Sequence, residues 1–368
     1  MSKKIKILVS GGGTGGHIFP AIAIANELKE KLNNVEINFV GALGRMEMEK
    51  VPKAGYEITG LWISGLQRRL TTKNLMFPFK VISSFMKSRS LIRKFKPDIC
   101  IGTGGYASGP LLYAASAMKI PTLIHEQNAF PGITNKLLSK RVTKVCVSYP
   151  GMEKYFPSEK IKITGNPIRK EILNNKVTKK EGCEFFKLDE KKKTLLIIGG
   201  SQGAQKINEA VATNIDVILD LGIQIIWQTG TSSYEMARLL SEKKSDISVH
   251  EFIYRMDCAY AACDFIISRA GAIAIAEIIA AKKPAIYIPL PSAAEDHQTK
   301  NAMSLVDGNA GLIVKESESI KVLPEKLSEL VVNEALQMEI IANLDGFAHP
   351  NAASDIADEV LKLLENEN

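Results

Sequence analysis

The chain contains no Asp-x-Asp triplet, no Cys-x-x-Cys pair, no run of eighteen apolar residues, and no acidic residue between Ile58 and Pro97. Each gap removes a class of function. Without Asp-x-Asp, a common carboxylate spacing for holding a divalent metal is missing, and no metal or other cofactor is expected. The five cysteines (Cys100, Cys146, Cys183, Cys258, Cys263) lack the paired spacing of zinc or thiol-redox sites. Cys100, Cys146 and Cys263 lie in or beside apolar runs, where a buried free thiol is ordinary, and a reducing cytoplasm fits. No segment is long and apolar enough to span a bilayer. Met1 leads straight into the strand-like KIKILVS, not into an apolar stretch with a small-residue cleavage site, so secretion is not expected.

What is present reads as two domains. A chain of 368 residues, 45% hydrophobic and 24% charged, has enough apolar residues for two cores. Short β-rich runs alternate with helical stretches, the pattern of parallel sheets covered on both faces. Lys6–Ser10, Glu36–Val40, Ile99–Gly102, Thr122–His125, Lys144–Ser148 and Lys160–Thr164 read as strands of a first set, with a helix over Pro20–Lys31. Thr194–Ile198, Gln224–Gln228, Ser248–Phe252, Phe265–Ser268 and Ala285–Pro289 form a second. The expected fold is α/β, with two Rossmann-like, doubly wound parallel-sheet domains facing a cleft, over 1–165 and 166–345. The Lys-rich stretch after GNPIR, up to Lys193, reads as an irregular link. A final helix over His349–Leu364, within 346–368, could return to the first domain.

Three glycine-rich turns follow strands and precede helices. GGGTGGH, from Gly11 to His17, contains G-x-G-x-x-G, but no acid ends the second strand to hold a dinucleotide ribose. No Lys-Ser/Thr follows it either, which excludes a P-loop. Its glycines still let backbone N–H groups approach an anionic ligand at a helix N-terminus. GGSQGAQ, Gly199–Gln205, repeats the design and adds Ser201 and Gln202 as donors. In SRAGAIAIAEIIAAKKP, Glu277 is the only charge on the Ala272–Ala281 helix, flanked at helical spacing by Ile273, Ala274, Ala280 and Ala281. Such a carboxylate needs a partner, either a ribose diol or a structural cation. HEQN, from His125 to Asn128, presents four polar side chains directly after a buried strand.

In order along nearly the whole chain stand GGGTGGH, RMEMEKVPKAGYEI, ISGL, KPDICIGTGGYASGP, PTLIHEQNAFPGITNK, GNPIR, GGSQGA, RAGAIAIAEI and DHQTKNA. Together these motifs resemble the MurG family, the undecaprenyldiphospho-muramoylpentapeptide β-N-acetylglucosaminyltransferases of bacterial peptidoglycan synthesis. The resemblance implies a GT-B glycosyltransferase fold and inverting transfer of N-acetylglucosamine from UDP-GlcNAc to the MurNAc 4-hydroxyl of lipid I, giving lipid II. Carried over by motif position, UDP-GlcNAc contacts fall on Thr14, Gly15, Gly16, Asn128, Arg169, Ser201, Ile253, Ala272, Ile273, Ala274, Ile275, Ala276, Glu277 and Gln298. His17 is the expected general base, histidine being the side chain that ordinarily exchanges its proton near working pH, and Glu126 is the alternative, with both open to one relay. Ser201, Arg169 and the helix start after Gly271 are expected to meet the charge on departing UDP.

Nine Lys or Arg lie between Ile58 and Pro97. Lys73, Lys80, Lys87, Arg89, Arg93 and Lys94 stand among Leu75, Met76, Phe77, Phe79, Val81, Ile82, Phe85 and Met86. This basic amphipathic stretch suits a peripheral anchor on an anionic membrane surface. The family resemblance adds that this surface is the cytoplasmic face of the cell membrane, with a cell-wall synthesis complex as partner. The plain alternative is a solvated basic face. No nucleic-acid-binding motif is present, and no nucleic acid partner is expected. A UDP-sugar epimerase of the same fold is the second functional reading, and it would need no lipid acceptor.

Overall fold

Runs such as Leu195–Ile198 and Ile99–Ile101 are apolar at every position, which suits a strand covered by helices on both faces. The computed structural model describes residues 4–65, 75–199 and 203–365, and these runs form its sheets. The first sheet comprises β1 (Ile5–Ser10), β2 (Val35–Ala42), β3 (Glu57–Leu61), β4 (Ile99–Gly102), β5 (Thr122–Glu126), β6 (Lys144–Val147) and β7 (Ile161–Ile163). Their order is β3-β2-β1-β4-β5-β6-β7, and all pairs are parallel. The second comprises β8 (Thr194–Ile198), β9 (Gln224–Gln228), β10 (Ile247–His250), β11 (Phe265–Ser268), β12 (Ala285–Tyr287) and β13 (Leu312–Ile313). It is also parallel, in the order β10-β9-β8-β11-β12-β13.

Each sheet reverses direction once, between β1 and β4 and between β8 and β11. Ligands of doubly wound sheets bind outside the carboxyl ends of the strands at such a reversal. In the first sheet the segments there are Gly11–Gly16, after β1, and Thr103–Gly105, after β4. In the second sheet the described segment is Arg269–Gly271, opening the Ala272–Ala280 helix. The β3 and β13 strands carry no strong sequence signal: β3 lies at the sheet edge and contains Gly60, and β13 has two residues.

The structure differs most from the sequence reading over two helical stretches. The first runs over Gly15–Lys31, starting five residues before Pro20, because the Thr14 carbonyl accepts from the His17 and Ile18 N–H groups. The stretch after GNPIR is not irregular. It folds into the Lys170–Leu173 and Lys179–Phe186 helices, and Thr178 with Glu181 forms a full capping box at the second. A Cβ on Gly182 would press on the Cys258 carbonyl at 2.6 Å, which shows how closely this helix packs on Met256–Ala262. All five cysteines are buried and free.

The chain divides into two compact units after Ile168, and the C-terminal helix Ala352–Glu365 belongs to the first. Ile356, Ala357 and Val360 of that helix share one core with Ile18, Ile24, Ala25 and Leu28. Lys31 donates to Asp358, and Glu359 is held by Lys144 at 3.2 Å and by Lys362 at 2.7 Å. Ile356 is fully buried, so Ile356→Ala should cost about 2–5 kcal/mol. A lowered urea midpoint for the first unit checks this; an unchanged midpoint would show that the helix does not stabilise the fold.

Candidate functional site

The two glycine loops of the first unit lie backbone against backbone. The Gly12 N–H donates to the Gly104 carbonyl at 3.3 Å, and a Cβ on Gly105 would strike the Gly12 backbone. Gly105 has φ +88°, so glycine is required there twice over. Glu47, fully buried, clamps the first loop from the other side. Its Oε2 accepts from the Gly13 N–H at 2.9 Å, and its Oε1 from the Ala42 N–H at 3.0 Å. One N–H that the sequence reading offered to an anionic ligand is therefore taken by the protein's own carboxylate. Thr14, Gly15 and Gly16 lie just beyond it, at least partly exposed, at the positive end of the Gly15–Lys31 helix.

His17 stands on the first turn of that helix, partly exposed. Its carbonyl accepts from Thr103 Oγ1 at 2.7 Å, and its ring lies over Gly104, where a Cβ would come within 2.8 Å of Nδ1. His17 Nδ1 is 3.1 Å from Gln127 Oε1. Gln127 is buried, and its Nε2 lies 2.9 Å from the Thr103 carbonyl and 3.0 Å from His125 Nδ1. His125 Nε2 in turn faces the Gly165 carbonyl at 3.0 Å. Burial outweighs these contacts and lowers the His125 pKa to about 4, so this imidazole is neutral at working pH.

Glu126 is turned the other way, since successive residues leaving a strand face opposite sides. Its Oε1 accepts from the Asn128 N–H at 3.0 Å and Asn128 Nδ2 at 3.1 Å. Its Oε2 accepts from the Gly132 N–H at 3.1 Å and Asn135 Nδ2 at 2.9 Å. Two donors on each oxygen fill the four lone-pair directions of a carboxylate. Glu126 thus organises the 126–135 loop, holding Asn128 in it, and the residue beside His17 is Gln127. Sequence reasoning passed over Gln127 and Glu47. Both stand inside quoted motifs, but nothing in a sequence tells which side of a strand end faces the glycine loops.

In the second unit, Arg169 grips Glu277 with two hydrogen bonds, Nε to Oε1 at 2.9 Å and Nη2 to Oε2 at 3.1 Å. The buried Tyr260 hydroxyl adds a third, to Oε2 at 3.3 Å; burial first, and the Glu277 carboxylate second, raise its pKa and keep it protonated. Of the two partners left open for Glu277, the structural cation is the one in place. Oε1 keeps one acceptor direction with no partner among the described residues. Ala272, Ile273, Ala274, Ile275 and Ala276 form the opening of the same helix, whose first turn carries no acidic side chain. The Ile253 N–H is given to Gln228 Oε1 at 2.9 Å. Gln298 Oε1 accepts from the Leu290 N–H at 3.0 Å, which points its amide nitrogen the other way. Ser201 lies outside the described residues.

Residues 7–147 match the profile of the glycosyltransferase family 28 N-terminal domain, and residues 194–360 that of the family 28 C-terminal domain. The chain belongs to glycosyltransferase family 28. It is 48% identical over 365 residues to the UDP-N-acetylglucosamine--N-acetylmuramyl-(pentapeptide) pyrophosphoryl-undecaprenol N-acetylglucosamine transferase of Flavobacterium psychrophilum, covering 99% of each chain. The protein of the same name from Christiangramia forsetii is also 48% identical, over 366 residues and the full length of both. Among solved structures, MurG of Acinetobacter baumannii superposes with a TM-score of 0.78 at 29% identity, over 98% of this chain and 100% of that one. The fold is accordingly GT-B, with a parallel sheet in each unit.

This family 28 chain also carries an inverted helix face. In the Phe77–Phe95 helix the small polar Ser84 and Ser88 are buried with Ile92 and Phe95, while Phe79, Ile82 and Met86 are 62%, 61% and 58% exposed. Lys80 Nζ donates to Ser64 Oγ and Lys87 Nζ to the Gly60 carbonyl, which turns two cations inward and leaves the apolar residues outermost. Lys73 lies outside the described residues. Among these no helix is long and apolar enough to cross a membrane.

The neutral, buried His125 predicts a pH dependence. The folded protein binds fewer protons at this site than the unfolded chain, whose histidine titrates near 6.5. Its contribution is therefore complete above about pH 6.5 and is lost as pH falls toward 4, by up to about 1.4 kcal/mol per unit. Urea midpoints between pH 7 and pH 4 should fall less steeply for His125→Leu than for wild type. Parallel slopes would place the acid sensitivity elsewhere.

Proposed function

We propose that the chain transfers N-acetylglucosamine from UDP-GlcNAc to the MurNAc 4-hydroxyl of undecaprenyl-pyrophosphoryl-MurNAc-pentapeptide, lipid I, with inversion, giving lipid II. The observation that carries the mechanism is His17, whose Nδ1 is engaged by Gln127 while Nε2 has no partner among the described residues. In this reading Nε2 accepts the proton of the acceptor hydroxyl as its oxygen attacks the anomeric carbon. The bond from that carbon to the diphosphate oxygen breaks, and UDP departs with the electron pair. Glu126 is no competitor for the base, because four donors already hold it.

Donor recognition is assigned to the second unit. The opening of the Ala272–Ala280 helix supplies N–H groups and a positive helix end for the diphosphate. Ile253 offers its carbonyl to the base, and Gln298 its amide nitrogen. Glu277, fixed by Arg169 and Tyr260, has room on Oε1 for one ribose hydroxyl. Arg169 spends one edge of its guanidinium on Glu277, leaving Nη1 for the leaving group.

Transfer of radiolabelled GlcNAc to a short-chain lipid I analogue, with EDTA present, tests the reading. Wild type should form product, and His17→Ala should lower kcat about 10²–10⁴-fold with little change in donor KM. Epimerised sugar nucleotide without transfer would overturn the acceptor; a fully active His17→Ala would overturn the base.

We further propose that the outward apolar face of the Phe77–Phe95 helix rests on the anionic cytoplasmic face of the cell membrane, where lipid I is presented to a cell-wall synthesis complex. Exposed Phe79, Ile82 and Met86 would enter the headgroup boundary, with Arg89, Arg93 and Lys94 on the same helix for anionic lipid. The triple change Phe79→Glu, Ile82→Glu, Met86→Glu should lower binding to phosphatidylglycerol vesicles at least tenfold and spare kcat with a soluble acceptor. Equal vesicle binding would refute the anchor.

A further inference from the structure

We infer that Gln127 is a positioning residue that holds His17 as the Nδ1–H tautomer, so that the ring's lone pair stands on Nε2. The inference deepens, and rests on, the reading of His17 as the base. It begins with the amide, whose orientation is fixed without reference to His17. Gln127 Nε2 lies 2.9 Å from the Thr103 carbonyl and 3.1 Å from the His125 carbonyl, two groups that can only accept. A flipped amide would aim its oxygen at both. The Gln127 oxygen therefore faces His17, and His17 Nδ1, 3.1 Å away, must be the donor. Which nitrogen of an imidazole carries the proton is set by the bond the other side of the ring makes.

The second arm of the amide closes the arrangement. Gln127 Nε2 is 3.0 Å from His125 Nδ1, which accepts, so His125 donates through Nε2 to the Gly165 carbonyl at 3.0 Å. Gln127 is buried and cannot exchange these partners for bulk water. Gly104 also lies against the His17 ring, and a Cβ there would come within 2.8 Å of Nδ1. Two surfaces, one polar and one bare backbone, thus define both the tautomer and the ring plane. Free imidazole side chains favour the opposite tautomer, with the proton on Nε2, which would put an N–H where the base must accept.

Histidine ¹⁵N NMR on the full chain reads the tautomer directly. The chain has five histidines, and His17 is assigned by its loss in His17→Ala. Wild type should show a protonated Nδ1 and a bare Nε2. Gln127→Leu should shift the population toward Nε2–H and lower kcat about ten- to a hundredfold with donor KM within twofold. Gln127→Glu, whose second oxygen faces the Thr103 and His125 carbonyls and must carry a proton to donate there, keeps an acceptor toward His17 and should retain the Nδ1–H form and recover part of kcat. An Nε2–H tautomer in wild type overturns the inference, even if the variants do not fold, and so does unchanged kcat in a folded Gln127→Leu. Because the spectrum needs no turnover, failure of the base reading is separable: His17→Ala with near-wild-type kcat removes the catalytic role whatever the tautomer.

Discussion

A Cβ on Gly105 would meet the Gly12 backbone, and one on Gly11 would meet the Thr103 hydroxyl and the His17 carbonyl. This contact between two glycine loops, at the carboxyl ends of adjacent parallel strands, is what the first unit's chemistry depends on. It brings Thr103 Oγ1 to the His17 carbonyl and lays the imidazole on Gly104. From there the amide of Gln127 connects His17 to His125 and to the Gly165 carbonyl. Widening the contact by one methyl group would displace every member of that chain.

Buried carboxylates stabilise the loops around it with no cation partner among the described residues. Glu47 and Glu126 are both enclosed, and each takes backbone N–H groups on both of its oxygens, Glu126 adding two side-chain amides. Charge-assisted hydrogen bonds of this kind offset the cost of removing a carboxylate from water. They also shape the loops, since each oxygen dictates where a segment must turn. The second unit uses the other solution, a two-pronged Arg169 on Glu277 supported by Tyr260. A pair of that kind is costly to break from one side, because the remaining charge stays buried. It therefore fixes the position of the acid in the second half of the Ala272–Ala280 helix.

Much of the fold was legible because parallel strands buried on both faces must be apolar throughout. Ile99–Gly102, Thr194–Ile198, Gln224–Gln228 and Phe265–Ser268 are read to the residue. The missed segments failed for physical reasons. β13 has only two residues, both β3 and β13 lie at sheet edges, and they take their form from neighbouring strands. The Lys170–Lys193 stretch looked irregular because its charges dominate its composition. Yet Thr178-x-x-Glu181 was a readable capping signal, and Phe186 with Cys183 supplied an apolar face. The helix start at Gly15 was hidden by two glycines, whose poor propensity is overruled by the Thr14 carbonyl and the Thr103 contact.

The sequence by itself determined the fold class, the glycine-rich turns and the polar groups that follow the strands, since periodicity and local backbone chemistry are written in consecutive residues. It could name His17, HEQN and Glu277 as groups with work to do. Only the tertiary structure decided that Gln127 rather than Glu126 faces His17, that Glu47 occupies a glycine-loop N–H, and that Arg169 holds Glu277. Those partners are 110, 34 and 108 residues apart in the chain. Which of two adjacent polar side chains meets a distant partner depends on the side of the sheet each one leaves from, and that is set when the strands pair.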